Sequence, residues 1–92
     1  MSFRDNETEA RFEWEEDGFV SVADYVIGRD GERILPHVET PAAARGRGAA
    51  GRLMDAIVAD ARTRGYKLRP VCPYAVAYFR RHPAANDALT IG

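Results

Sequence analysis

The 92-residue sequence predicts an α+β fold with the element order β-β-β-α-β-α. Three observations point there. The first forty residues form short, partly alternating apolar runs separated by Asp-Gly turns. From residue 47 the apolar spacing changes to 3, 1, 3, 1, 3, which is one face of a helix. After Gly65 a short apolar run leads to a proline-initiated segment of helical period. The expected architecture is three antiparallel strands, a long helix, a fourth strand parallel to the third, and one or two short C-terminal helices.

The first predicted strand runs from Glu9 to Trp14, with Ala10, Phe12 and Trp14 on one face and Arg11 and Glu13 on the other. Asp17-Gly18 marks a turn, so the second strand, Phe19 to Ile27, returns antiparallel to the first. Gly28 to Gly31 is a second turn. The third strand, Arg33 to Glu39, holds Pro36, which predicts an edge position or a bulge. Simple alternation would place Leu35, His37 and Glu39 on one face.

The helix predicted over 47–64 turns Ala50, Leu53, Met54, Ile57, Val58 and Ala61 to one side, and Gly65 ends it. Residues 66–71 form a short fourth strand. Pro73 to Arg81 is a second helix, and 84–89 is a further turn of helix. The third strand, the long helix and the fourth strand make a right-handed crossover with parallel strands. Residues 37–40, 45–50 and 70–74 therefore meet at one sheet edge, where open α/β sheets bind ligands.

The length predicts one domain spanning 1–92. No apolar run approaches the roughly 20 residues of a membrane span, and the polar start MSFRDNETEA does not read as a secretory signal. One cysteine forms no internal disulfide, which fits a reducing compartment, so a cytoplasmic location is expected. Two histidines and one cysteine without clustered spacing predict no metal site. Residues 1–40 carry a net charge of −7 and residues 41–92 a net +6, which favours an anionic ligand on the C-terminal half. Nucleic acid is disfavoured by the near-neutral total and by the lack of interleaved basic and aromatic residues.

Two motifs stand out. In ARGRGAAGRLM, residues 44–54, a strand passes to a helix through Arg45-Gly46-Arg47-Gly48-Ala49-Ala50. Glycines let the backbone approach a phosphate, and free N–H groups of the first helical turn point at the anion. Arg45, Arg47 and Arg52 would supply positive charge. The plainer alternative is a flexible loop and a helix packed closely on the sheet. No Gly-Lys-Ser/Thr follows, which excludes a Walker loop. In RPVCPYAVAYFRRHP, residues 69–83, Pro73 suits the first helical position and makes Cys72 the N-cap. A thiol there faces the positive end of the helix dipole, with Arg69 nearby. Its plainer alternative is a buried, inert cysteine. His82, about 15 Å away along ten helical residues, reads as a helix-closing residue rather than a partner of Cys72.

The Arg45–Ala50 motif resembles the pyrophosphate-binding sequence Gln/Arg-x-x-Gly-x-Gly/Ala of the GNAT acetyltransferase superfamily. The remainder is similar to its small, single-domain branch: Phe12-Glu13, Asp17-Gly18 and Tyr25, then His37-Val38-Glu39, then Pro70-Val71-Cys72-Pro73-Tyr74 with His82-Pro83. The resemblance implies a truncated GNAT-like fold and acetyl-CoA as acetyl donor. It implies that Arg45, Gly46, Arg47, Gly48, Ala49 and Ala50 hold the pyrophosphate and that Cys72 is the active-site candidate. Within that frame His37 is a candidate base, its plainer alternative being a histidine that caps a strand end; Glu39 is an alternative base or a group that orients His37, and the Tyr74 hydroxyl can reach the thioester or the leaving thiolate. The expected activity is acetyl transfer to an amine, by direct attack or through an acetyl-Cys72 intermediate. A non-catalytic CoA-binding or protein-interaction module is the alternative. The resemblance implies no acceptor, and a monomer and a homodimer both remain open.

Overall fold

A computed structural model of the chain describes residues 1–90. Its strands are β1 (Ser2–Asn6), β2 (Arg11–Glu16), β3 (Phe19–Ile27), β4 (Arg33–Glu39) and β5 (Leu68–Pro70), and its helices are α1 (Ala49–Arg64) and α2 (Pro73–Arg81). Short 3₁₀ turns lie at Ala42–Ala44 and Pro83–Ala88. The sheet order is β1-β2-β3-β4-β5, with the first four strands antiparallel in sequence and β5 parallel to β4. This is the expected α+β architecture with one strand added at the N-terminal edge.

β1 has little apolar patterning, because its order comes from polar pairing. Asp5, with its side chain 6% exposed, accepts from Tyr25 Oη (2.6 Å), Arg33 Nη1 (2.9 Å) and Arg64 Nη1 (3.0 Å). The Arg33 guanidinium lies 4.5 Å from the ring centroids of both Tyr25 and Tyr66, a desolvated cation–π sandwich. Burial and the Asp5 carboxylate push the Tyr25 hydroxyl up to about 12. Phe3 from β1 stacks on Phe12 at 5.8 Å, joining the new strand to the core.

The core lies between the sheet and the two helices. Phe12, Ala23 and Leu35 from the strands meet Leu53, Met54 and Ile57 from α1 and Ala75 from α2, all fully buried. Gly65 caps α1, its N–H donating to Ala61 O at 2.8 Å, and α2 begins at Pro73 with Cys72 at its N-cap. Both were expected. The 84–89 turn is the 3₁₀ segment Pro83–Ala88, after which Leu89 bridges to Leu68.

Pro36 marks a bulge. Between the register pairs Asp24↔His37 and Val26↔Ile34, β3 contributes one residue, Tyr25, and β4 two, Leu35 and Pro36. The two-to-one count advances the alternation of β4 by one residue. Val38, paired with the buried Ala23, now faces the helices, whereas His37, paired with Asp24, and Glu39, paired with Val22, face the opposite, helix-free side. Leu35 and His37 therefore do not share a face, contrary to the simple alternation.

Candidate active site

The parallel pairing of β4 and β5 ends at Leu35↔Pro70. Leu35 O then accepts from both Val71 N and Cys72 N at 3.0 Å each, and the chain turns into α2 while β4 continues to Glu39. The two strands part, and the parting opens onto the start of α1. A cleft of about 330 Å³ occupies this place. Val38 and Thr40 form one wall, Arg45, Gly46 and Gly48–Gly51 the floor, and Tyr74 the other wall. The three segments expected to meet at one sheet edge do meet there.

The loop has the geometry that its glycines permit. Gly46 and Gly48 adopt φ of 82° and 80°, a left-handed conformation that side chains resist. α1 carries no acidic residue in its first turn, so its free N–H groups present uncompensated positive character to the cleft. At Gly51 a Cβ would stand 3.7 Å from Tyr74 Oη, so the missing side chain keeps space open beside that hydroxyl. Burial pushes the Tyr74 hydroxyl above its ordinary range. Small residues and free helical N–H groups leave room and positive character for an anion at this end of the cleft.

The three arginines of the motif take different positions, and Arg47 lines not this cleft but a separate small hollow beside Glu16 and Asp17. Arg45 Nε donates to Thr40 O at 3.1 Å, bracing the loop against the end of β4. Arg52 is engaged within the protein: Nε and Nη2 donate to the Glu16 carboxylate at 2.7 Å each, and Nη2 also donates to Arg47 O at 2.6 Å. Its charge is thus matched locally, a different role from the ligand-facing one expected.

The catalytic candidates divide between two sides. Cys72 is buried, 9% exposed, and packs into the core cluster; its side chain makes no capping hydrogen bond. His37 and Glu39 are exposed on the helix-free face, with His37 Nε2 and Glu39 Oε1 3.0 Å apart. Arg69, expected near the thiol, pairs with Glu32 at 3.6 Å. His82 stacks on Tyr78 with centroids 4.2 Å apart, and its Nδ1 lies 2.8 Å from Tyr78 O, in keeping with a helix-closing place. Val38, Thr40, Gly51, Trp14 and Glu16 were not singled out by sequence reasoning. Gly51 alone carried a local signal, as a glycine within an otherwise good helical pattern.

A larger hollow, about 600 Å³, lies at the other end of the parallel strands, beside Asp30, Glu32, Lys67 and Asp87. Its three carboxylates outnumber its two cations, Lys67 and Arg69, which makes it a poorer seat for a pyrophosphate. Among the described residues no group of three or more His, Cys, Asp or Glu side chains is arranged to hold a metal ion, and no helix is long and apolar enough to cross a membrane.

No curated protein matches the chain. A family model described as GCN5-related N-acetyl-transferase matches residues 11–88. That span takes in the strand that ends at Glu16, the Arg45–Ala50 loop and the whole of α2. With a glycine loop at a helix start, a bulged strand beside it and a parallel neighbour that parts from it, the chain belongs to the GCN5-related N-acetyltransferase family.

Proposed function

We propose that the protein is an acetyl-CoA-dependent N-acetyltransferase whose donor lies in the cleft between the Arg45–Ala50 loop and Tyr74. The observation that supports this best is the meeting of the α1 N-terminus with the gap where β4 and β5 part. Gly46, Gly48, Ala49 and Ala50 approach the pyrophosphate with backbone N–H groups, and Arg45 and Arg47 add charge. Acetyl-CoA supplies an activated acyl group as a thioester.

In direct transfer the acceptor amine reaches the thioester through the gap where β4 and β5 part, coming from the helix-free face on which His37 and Glu39 stand as a hydrogen-bonded pair. The pair takes the amine proton, the N–C bond forms and the C–S bond breaks. The Tyr74 hydroxyl returns a proton to the departing thiolate. In the two-step route the Cys72 sulfur attacks the thioester carbonyl and CoA leaves as its thiol; the amine then attacks the acetyl group and the Cys72 sulfur leaves. The burial of Cys72 favours the direct route, because an acyl group on its sulfur would need room in the packed core.

The same burial, and the exposure of His37 and Glu39 away from the cleft, favour a second reading: a module that binds acyl-CoA without turning it over. Calorimetry with acetyl-CoA, followed by mass spectrometry of the incubated protein, separates these. Binding, together with acetyl transfer to amines by both wild type and Cys72→Ala, supports direct transfer. Binding with no transfer to any amine supports the module. An added acetyl group at Cys72 that an amine discharges supports the two-step route, and absence of any heat refutes the donor assignment.

A further inference from the structure

The strongest unassigned arrangement around the cleft is a chain of hydrogen bonds behind it. Glu16 ends β2, and its carboxylate accepts from Trp14 Nε1, from Arg52 Nε and from Arg52 Nη2. Arg52, in the first turn of α1, passes the contact on to Arg47 O at 2.6 Å. The guanidinium also lies where a Gly48 side chain would be, with Nη1 3.0 Å from an ideal Cβ. The Arg47 carbonyl is therefore held against a cation that the sheet itself anchors. A carbonyl turned the other way would present negative charge to an anion approaching the loop.

We propose that Glu16 is a positioning residue for the loop, acting through Arg52 to hold the Arg47 carbonyl away from the ligand. The proposal rests on the reading of that loop as the anion-binding element. It assigns Arg52 an indirect role despite its place in the motif, since three of its five N–H groups are taken up by Glu16 and Arg47 O. Glu16 is well suited to anchoring: its side chain is 11% exposed, whereas that of Arg52 is 41% exposed. Hydrogen bonds from Arg52 and Trp14 hold the Glu16 carboxyl down at about 2, so it is ionised throughout the neutral range. Trp14 is the only tryptophan in the chain, so the anchor carries its own spectroscopic reporter.

Two opposite outcomes distinguish positioning from simple charge balance. If Glu16 only neutralised Arg52, removing its charge would free a cation beside the cleft and tighten anion binding. If it positions the loop, the same change weakens binding. The test compares wild type, Glu16→Gln, Arg52→Ala and the double variant. Acetyl-CoA is titrated by calorimetry and by Trp14 fluorescence, and amide exchange at Arg47–Ala50 is measured without ligand. The expected result is an affinity loss of about tenfold in each single variant, matching the loss of a charged hydrogen bond. The double variant should lose no more than either single one, because both act through one chain of contacts. Exchange should quicken at Arg47–Ala50 but not in β3. Unchanged or tighter binding by Glu16→Gln, or unchanged loop exchange, overturns the proposal. Should Glu16→Gln loosen β3 as well, loop exchange in Arg52→Ala decides: faster exchange at Arg47–Ala50 with β3 unchanged supports the proposal, and unchanged loop exchange overturns it. Should the wild type take up no acetyl-CoA, the donor assignment fails, and loop exchange alone decides the positioning role: faster exchange supports it and unchanged exchange refutes it.

Discussion

Alanine at Gly46 and at Gly48 forms a controlled pair. The two glycines have nearly the same φ, 82° and 80°, but different surroundings. Nothing lies within 4 Å of a Cβ at Gly46, whereas at Gly48 the Cβ would meet Arg52 Nη1 at 3.0 Å. Left-handed backbone costs an alanine about 1–2 kcal/mol, and a stiffer unfolded chain offsets roughly 0.4–1 kcal/mol of that. Gly46→Ala should therefore lower stability by about 1 kcal/mol. Gly48→Ala incurs the same backbone term and also displaces Arg52 from its place between Glu16 and Arg47 O. A hydrogen bond to a charged group is worth about 1.5–3 kcal/mol. Arg52 is flexible and keeps part of its contact, so the added cost should be about 1 kcal/mol. In a chain of this size that corresponds to a further fall of roughly 4–8 °C in the midpoint of thermal unfolding. The assay is thermal denaturation followed by far-ultraviolet circular dichroism, with wild type, both single variants and Gly48→Ala/Arg52→Ala. The last should recover no additional stability loss beyond that of Arg52→Ala plus the backbone term. Equal midpoints for Gly46→Ala and Gly48→Ala would refute the claim that Arg52 is held over Gly48 in a stabilising place.

Other perturbations follow from the same contacts. Gly51→Ala should raise the unfolding midpoint, since alanine is better than glycine in a helix by about 0.8–1 kcal/mol, yet weaken acetyl-CoA binding by narrowing the cleft at Tyr74; paired melting and calorimetry check both. Asp5→Ala leaves the buried Arg33 without its carboxylate and should cost about 3–5 kcal/mol, measured by urea denaturation; a neutral result would mean that β1 adds nothing to the sheet. Acid should destabilise the fold in a defined window. Burial raises the Glu13 carboxyl, but hydrogen bonds from Arg11, Asn6 and Arg4 outweigh it and hold it down to about 2, as Arg52 and Trp14 do for Glu16. Folded-state values below the ordinary one give stability that is complete above about pH 4.5 and lost as pH falls towards about 2. Melts across that range should show the decline, and Glu13→Gln should make it shallower.

Much of the fold is visible along the chain because its signals are local. The period of α1, the Gly65 cap and the Pro73 start of α2 each depend on neighbouring residues, and each lies where the spacing puts it. β1 left no such signal: SFRDN has one apolar side chain facing the core, and its order depends on Asp5 meeting Tyr25, Arg33 and Arg64 far along the chain. It also lies outside the family match, which begins at residue 11. Pro36 announced a bulge, but its consequence needed the register, because one extra residue sends His37 and Glu39 to the other side of the sheet. The cleft was legible as a meeting of three segments; the Glu16–Arg52 contact, spanning 36 residues, was not.

The most direct measurement is a two-dimensional NMR titration of the labelled protein with acetyl-CoA. The amides of Gly46 to Gly51 should shift first and most, with Val38, Thr40 and Tyr74 following, while Lys67 and Asp87 at the other hollow stay in place. Shifts centred on Lys67 and Asp87, or no shifts at all, would contradict the assignment of the α1 N-terminus as the donor site.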